Sequence, residues 1–437
     1  MRAVPSRRWL SVLLGLGILA GAAFILAVPP WQSPDEPTHL EYAQALAAGG
    51  PLAPDPGRQF EILASLDRHD FWRLVGEEPP RPLPPDFFHA PFLSAAPSQF
   101  AKNQPVVYLP AAAVLFLLPS SSPESGLYLW RALSLLFTLG AGLLTVLAAR
   151  FYLPGRAAPW AAGVLVVFLP QMLLIGTSAS PDSLLVLLGA AWFWALSAAR
   201  FRPSPSRVPL LLVLGVVGAA SGYRFLAVLL PGLLFLLWPG RGRRVWFPVG
   251  LLFLLAALYT ATAWFRPEFL HPPVSRLARF WQAVAGTISG RTGFPGGYGT
   301  WFSREVFESF WLKFGWMRYS LPPSWYRFYQ TLCLVAAAGL TAGFLAGRLR
   351  RMLLPLLLGG GALAALYLAW GGTPKDTSPQ GRYLFVTLAP LAVLFLTGIL
   401  NLFPRRRVAA VSLLLSALWL GLAAGAFLRY IIPAFHG

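Results

Sequence analysis

The sequence predicts an all-α integral membrane protein, and composition together with hydropathy pattern supports that prediction. Of its 437 residues, 56% are hydrophobic and only 12% are charged, whereas a soluble domain has about 25% charged residues. Apolar runs of about 20 residues recur along the chain, each long enough to cross a hydrocarbon core of about 30 Å as a helix. A soluble enzyme or a soluble DNA-binding domain is therefore excluded.

The basic residues predict the orientation of these runs in the membrane. A net charge of +19 would suggest nucleic acid as a partner of a soluble chain, but here 17 basic residues and no acidic ones fall in six short clusters between apolar runs. By the positive-inside rule these clusters are cytoplasmic, and nucleic acid is not an expected partner. The clusters are Arg2, Arg7 and Arg8; Arg150 and Arg156; Arg200, Arg202 and Arg207; Arg241, Arg243 and Arg244; Arg348, Arg350 and Arg351; and Arg405, Arg406 and Arg407.

Alternation about these clusters predicts about eleven transmembrane helices, with the N-terminus cytoplasmic and the C-terminus external. The expected location is a bacterial cytoplasmic membrane, crossed many times. The predicted spans are 9–28, 126–149, 157–175, 183–199, 208–222, 223–239, 244–264, 326–347, 352–370, 383–402 and 408–432. Residues 105–118 are too few for a typical span, so we expect a re-entrant or interfacial segment there.

One polytopic membrane domain, residues 1–437, is expected, with two large external loops. The first, residues 29–104, contains 10 of the 16 acidic residues and is predicted to form short surface helices. The second, residues 265–325, is rich in aromatic residues and glycine. Aromatic residues from 310 to 329 are interpreted as an interfacial belt, where such side chains are common.

The most informative motif is WQSPDEPTHLEYAQALAAGG, residues 31–50, which directly follows the first span. Pro37 suits the first turn of a helix, and Asp35 or Glu36 could accept its unpaired N–H groups. Asp35 is then either a helix cap alone or a catalytic residue. His39 and Glu41 add titratable groups close by, beside the bilayer, where a general base for a membrane-held substrate would have to lie. We therefore expect Asp35 and Glu36 to be catalytic and His39 to bind substrate.

A second candidate motif is GGTPKDTSPQGRYL, residues 371–384, an external loop that ends where a span begins. Lys375 and Arg382 are cations next to the membrane, and the planar fork of an arginine suits phosphate oxygens. The alternative is an ordinary interfacial anchor, since Arg and Tyr commonly flank spans. We take Lys375, Gln380, Arg382 and Tyr383 as candidate substrate-binding residues.

Four further ionisable residues lie close to or within predicted spans: Lys102, Arg131, Asp182 and Arg224. Charged groups at membrane depth are costly and indicate either a site or a buried pair. Asp182 paired with Arg224 or with Arg131 is the structural alternative to substrate binding. No metal ligand is assigned, and a divalent metal is left open.

Other common chemistries lack their motifs. The sequence has no Gly-rich phosphate loop with a Walker lysine and no Gly-x-Ser-x-Gly elbow. Its five histidines lack zinc-site spacing, and a single cysteine, Cys333, allows no intrachain disulfide.

Five motifs together resemble a bacterial family of polytopic membrane proteins of unassigned function. They are SPDEPTHLEYA after the first span, RALSLLF from Arg131, FLPQMLLIGTSASPDSLL from Phe168, SFWLKFGWMRYSLPPSWY from Ser309 and QGRYLF from Gln380. That family looks related to the GT-C glycosyltransferases, which include protein O-mannosyltransferases and the lipid A aminoarabinose transferase.

The resemblance implies an external active site that uses a polyprenyl-phosphate sugar. Asp35 matches the acidic residue that acts as general base in GT-C enzymes, and Glu36 matches its acidic neighbour. Lys102 stands near a basic residue that contacts donor phosphate in some relatives, although the chain reads KNQPVVYL where those relatives have a basic residue or His before Pro-Pro-Leu. Arg382 is the preferred phosphate partner.

The resulting hypothesis is an inverting GT-C glycosyltransferase. Its partners would be the bilayer, a polyprenyl-phosphate sugar donor and a glycan, lipid or protein acceptor. One alternative is a transporter or flippase for a lipid-linked or polyanionic substrate, for which charges near the bilayer midplane would be expected. Another is a catalytically silent scaffold for envelope assembly.

Overall fold

The computed structural model is almost entirely helical. It describes residues 7–50, 52–93, 104–119, 122–202, 204, 206–237, 298–348, 350–364 and 380–437. The helices in chain order are α1 Arg7–Ala27, α2 Glu36–Ala47, α3 Pro56–Arg68, α4 Phe71–Val75, α5 Pro105–Leu117, α6 Pro123–Ala149, α7 Ala157–Phe168, α8 Pro170–Ile175, α9 Asp182–Phe201, α10 Arg207–Ala220, α11 Tyr223–Leu237, α12 Tyr298–Trp311, α13 Pro323–Leu345, α14 Leu388–Asn401, α15 Val408–Ala426 and α16 Ile432–His436. The strands β1 (Lys313–Phe314) and β2 (Tyr319–Ser320) form a short antiparallel hairpin.

The prediction of an all-α membrane protein is confirmed. Within the described residues, six helical segments are long and apolar enough to cross a membrane, and several shorter apolar helices accompany them. The six are α1, α6, α9, α13, a segment Gly381–Asn401 that ends with α14, and a segment Arg405–His436 that contains α15 and α16. The predicted span 244–264 lies outside the described residues.

One predicted span is wrong in detail, because residues 157–175 form two helices, α7 and α8. Leu169 between them is extended (φ −60°, ψ 122°). Proline disfavours a helical conformation in the residue before it, and Pro170 therefore starts a new helix. The predicted spans 208–222 and 223–239 meet at Gly222, and the structure has a connection of two residues there, between α10 and α11. The φ of Gly222 is 126°, a conformation that favours glycine.

The helix α5 matches the segment expected to be re-entrant or interfacial. Its 13 residues give a length of about 20 Å, less than the thickness of the hydrocarbon core. It packs against α2 and α6. The sequence predicted a surface helix at α2, but α2 is largely buried, since eight of its 12 residues are buried.

The centre of the bundle is formed by α6, α7, α9 and α14, with α13 against α14 and α15 against α7. Small residues allow the closest approaches, as is usual between membrane helices. A Cβ atom placed on Gly339 of α13 would collide with the carbonyl oxygen of Gly398 in α14. These two glycines therefore set the distance between α13 and α14.

Part of the expected aromatic belt is buried instead. Trp311 and Tyr329 stack with ring centroids 4.3 Å apart, and the ring of Trp419 in α15 lies nearly parallel to both, 5.8 Å from Trp311 and 6.2 Å from Tyr329. All three side chains are buried. They fill the space between α12, α13 and α15, so their role is packing and not contact with the membrane surface.

Candidate functional site

Asp35 precedes α2 but does not act as a conventional helix cap. Its side chain makes no hydrogen bond to the first turn of α2, all of which is described, and its backbone is left-handed at φ 65°. Instead its Oδ2 accepts a hydrogen bond of 2.8 Å from Nη2 of Arg382. The interpretation of Asp35 as a cap alone is therefore not supported, and the bond joins two motifs that lie 347 residues apart in sequence.

Arg382 is placed by a 3₁₀ segment, Gly381–Thr387, that leads into α14. The backbone N–H of Gly381 donates a hydrogen bond of 2.8 Å to Oγ of Ser309 in α12. A Cβ atom on Gly381 would collide with the backbone of Val306 and Phe310, so only glycine lets this segment lie so close to α12. The guanidinium of Arg382 is 2% exposed, and its Nη1 is buried with no hydrogen-bond partner among the described residues.

Asp182 and Arg224 continue the charged cluster. Nη1 of Arg224 donates to Oδ1 of Asp182 at 2.6 Å, and Oδ2 of the same carboxylate lies 3.6 Å from Nε of Arg382. Both guanidinium groups lie over the ring of Tyr383, with Cζ atoms 4.6 and 5.2 Å from its centroid. The order Arg224, Asp182, Arg382, Asp35 therefore alternates in sign, and each carboxylate offsets the burial cost of an adjacent cation.

The accessible members of this chain of charges are its two ends. The Asp35 side chain is 24% exposed and that of Arg224 is 21% exposed, compared with 5% for Asp182 and 2% for Arg382. A ligand can therefore reach the Asp35 carboxylate directly, whereas Asp182 is enclosed by the two arginines.

His39 lies one helical turn beyond Asp35. Its Nδ1 is 2.8 Å from the hydroxyl of Tyr108 in α5. Burial lowers the pKa of His39 to about 4, against an opposing effect of the Asp35 carboxylate. The ring is consequently neutral near pH 7, and it can exchange a hydrogen bond with Tyr108 without adding charge to the site.

Glu36 occupies a different environment from its neighbour. Its two carboxylate oxygens accept from Nε and Nη2 of Arg131 at 2.9 and 2.8 Å, and both side chains are fully buried. Oε1 also accepts from the backbone N–H of Ala179. Arg131 in turn donates to the carbonyl oxygens of Val28 and Pro29. This pair ties the ends of α1 and α2 to α6, and it has the environment of a structural pair.

The remaining predicted site residues are placed less fully. Lys102 and Lys375 lie outside the described residues. Gln380 immediately precedes the 3₁₀ segment, and its Oε1 is buried with no hydrogen-bond partner in the described part of the chain. Tyr108 was missed by sequence reasoning, although a phenol in an otherwise apolar helix is a signal that could have identified it.

A large apolar cavity lies beside the segment that carries Arg382, and none of the four charged residues lines it. Its volume is about 760 Å³, and it lies between α12, α13, a short irregular helix at 353–364 and α14. Its lining is almost wholly apolar, with Ser303 and Cys333 the exceptions. Leu384, two residues after Arg382, lines it, as does Val306 beside Gly381. Arg382 itself does not line the cavity.

The described residues contain no group of three or more His, Cys, Asp or Glu side chains that could hold a metal ion. Asp35 and Asp182 are each paired with arginine, which makes a cation site between them unfavourable in this arrangement.

A family model described as "Predicted membrane protein (DUF2142)" matches residues 18–395 of the chain. The chain belongs to this family. The matched range includes both Asp35 and Arg382. No functionally curated protein matches the sequence at a significant level.

Among solved structures, the chain is similar to the oligosaccharyltransferase of Archaeoglobus fulgidus in its apo form, with a TM-score of 0.46 and 12% identity over 98% of this chain and 56% of that one. The same enzyme tethered to an acceptor peptide containing the NVT sequon gives a TM-score of 0.44, also at 12% identity, over 98% and 55% of the two chains. The chain thus spans about half the length of that enzyme.

Proposed function

We propose that this protein is an inverting membrane glycosyltransferase of GT-C type. It would transfer a sugar from a polyprenyl-phosphate donor to a hydroxyl of a glycan, lipid or protein acceptor at the external face of a bacterial cytoplasmic membrane. The observation that carries the proposal is the 2.8 Å bond between Asp35 and Arg382. It joins the residue expected to be the base to the residue expected to bind phosphate.

Donor phosphate would be held by Arg382 and Arg224. Arg382 is fixed by the contact of Gly381 with α12, and its Nη1, which has no hydrogen-bond partner among the described residues, would donate to a phosphate oxygen. Arg224 lies on the other side of Asp182. The negative charge on the leaving phosphate grows in the transition state, and preorganised cations in a dry site stabilise it most there.

The polyprenyl chain would occupy the apolar cavity of about 760 Å³. Burying a long hydrocarbon chain between α12, α13 and α14 keeps it in apolar surroundings continuous with the bilayer. Leu384 lines this cavity two residues after Arg382, and the proposal requires the phosphate at the end of the chain to extend from the cavity to the Arg382 guanidinium.

Asp35 would act as general base. The acceptor hydroxyl oxygen forms a bond to the anomeric carbon as the bond from that carbon to the phosphate oxygen breaks. The electron pair leaves with the polyprenyl phosphate, and the hydroxyl proton passes to the Asp35 carboxylate. In-line attack places the sugar between base and phosphate, so the Asp35–Arg382 bond must open to admit it.

Glu36 is assigned a positioning role in this scheme. Its carboxylate is fully buried and committed to Arg131 and the backbone, so an acceptor hydroxyl cannot reach it without breaking that pair. We therefore assign the base to Asp35 alone.

The external location rests on the charge pattern. Asp182, Arg224 and Arg382 lie at helix ends opposite to those flanked by the basic clusters, and the positive-inside rule makes the latter cytoplasmic. The N-terminus would then be cytoplasmic and the C-terminus external.

The test uses detergent-solubilised protein and a labelled polyprenyl-phosphate sugar. Arg382→Lys keeps the charge but loses the planar fork, so transfer should fall, and Arg382→Ala should lower it further, by about 100-fold or more. Arg327→Ala, an exposed arginine in the first turns of α13, is the matched control and should transfer sugar at the parental rate.

Two results would contradict the proposal. Parental donor binding and transfer in both Arg382 variants would leave Arg382 as an anchor only. Movement of the labelled lipid across a vesicle membrane without cleavage of its sugar bond would favour the transporter alternative.

A further inference from the structure

A second cavity, lined in part by arginines, lies at the other end of the bundle from the charged cluster. Its volume is about 460 Å³, and it is lined by Leu147, Arg150, Phe151, Trp194, Ala198, Phe201, Arg202, Arg207 and Arg351. Asp182 begins α9 and Arg202 directly follows its last residue. A helix of 20 residues is about 30 Å long, so the two sites are separated by about the thickness of the hydrocarbon core.

Four arginines converge on this cavity from separate parts of the chain. Arg150 follows α6, Arg202 follows α9, Arg207 begins α10 and Arg351 precedes the irregular helix at 353–364. None of the nine lining residues, all in the described part of the chain, is Asp or Glu. The convergence of the four arginines on one cavity, without an acidic residue in its lining, gives the cavity an excess of positive charge.

Two of the four arginines make contacts that hold them at the cavity. Nη1 of Arg207 donates to the carbonyl oxygen of Ala198 at 2.6 Å, and Cζ of Arg202 lies 5.8 Å from the ring centroid of Phe151. Burial and the nearby charge of Arg202 lower the pKa of Arg150. The mutual repulsion of these guanidinium groups would be relieved by an anion placed between them.

The rest of the lining is apolar and aromatic. Trp194, Phe151 and Phe201 form one part of the wall. A lining that combines guanidinium groups with aromatic rings suits an amphiphile, with its phosphate on the arginines and its glycerol and first acyl carbons on the rings. A free phosphate ion would contact only the guanidinium groups and would leave the aromatic rings unused.

We propose that this cavity binds the phosphate head group of an anionic phospholipid from the cytoplasmic leaflet. The bound lipid would hold the ends of α6, α9 and α10 together. This site is separate from the proposed transferase site, and neither proposal depends on the other.

The experiment is native mass spectrometry of the full-length protein, delipidated and titrated with phosphatidylglycerol or phosphatidylcholine. The test variant is Arg202→Gln with Arg351→Gln, both exposed residues. The matched control is Arg406→Gln with Arg407→Gln, which removes the same charge from the same predicted face outside the cavity. The parent should bind one phosphatidylglycerol tightly, and the test variant should bind it about 30-fold more weakly.

The control variant should stay within about twofold of the parent, since its arginines do not line the cavity. Arg202→Lys with Arg351→Lys retains both charges and should recover most of the affinity. Equal losses in the test and control variants would mean general surface electrostatics and would overturn the proposal. Equal affinity of the parent for the two lipids would also overturn it. A third result would also overturn it: inorganic pyrophosphate binds in a way that depends on Arg202 and Arg351, and phosphatidylglycerol does not bind.

Discussion

The substitution Glu36→Gln should destabilise the fold severely. The Glu36 and Arg131 side chains are both fully buried, and removal of one partner of such a pair leaves an uncompensated charge that costs about 3–5 kcal/mol. Glutamine keeps the shape of glutamate but replaces one acceptor with an amide N–H₂ group. Oε1 accepts from Arg131 and Ala179, and Oε2 accepts from Arg131 and Ser33. Either orientation of the amide therefore places donors face to face.

The assay is the free energy of unfolding in mixed micelles, measured by titration with sodium dodecyl sulfate. Asp70→Asn is the control, because Asp70 pairs with Arg73 at 3.5 Å with both side chains largely exposed, and such pairs contribute less than about 1 kcal/mol. The double variant Glu36→Gln with Arg131→Met should recover part of the loss, since both charges are gone. A Glu36→Gln variant as stable as the control would refute the structural role, and a stable variant that had lost transfer would make Glu36 the catalytic carboxylate.

Three further outcomes are expected. Gly381→Ala should lower the free energy of unfolding by about 1–3 kcal/mol, because the new Cβ atom collides with α12. Gly421→Ala has open space at its Cβ atom and should not destabilise the protein, and thermal melts of both variants check this. Because the pKa of His39 is lowered from 6.5 to about 4, protonation favours the unfolded chain. Stability should therefore be full above pH 6.5 and decline towards pH 4, and the parent should lose more than His39→Gln over that range. In a chain without its native cysteine, a thiol-specific reagent outside intact cells should label Asp55→Cys but not Arg406→Cys, and the reverse pattern would invert the topology.

The transmembrane architecture could be predicted from the sequence because hydropathy and charge act locally. Apolar runs located α1, α6, α9 and α13 to within a few residues. The break before Pro170 was missed because hydropathy remains high through it, although the proline itself predicts the break.

The candidate site could be predicted only in parts. The motifs around Asp35 and Arg382 are each recognisable in the sequence, but their contact depends on how Gly381 packs against α12, a tertiary feature with no local signal. The different partners of Asp35 and Glu36 could not be predicted from sequence either. Asp35, which has a left-handed backbone, pairs with Arg382, whereas Glu36 pairs with Arg131, and both arginines are distant in sequence.

The most direct test of the proposed function is the transfer rate of Asp35→Asn, measured with labelled polyprenyl-phosphate sugar and compared with donor binding by the same preparation. Asparagine tolerates the left-handed backbone that Asp35 adopts at φ 65°, so the variant should fold. It lacks a carboxylate to accept the hydroxyl proton, and transfer should fall by about 100-fold to 10,000-fold while donor binding is retained. Transfer at the parental rate by folded Asp35→Asn would contradict the assignment of Asp35 as general base and, with it, the proposed mechanism of sugar transfer.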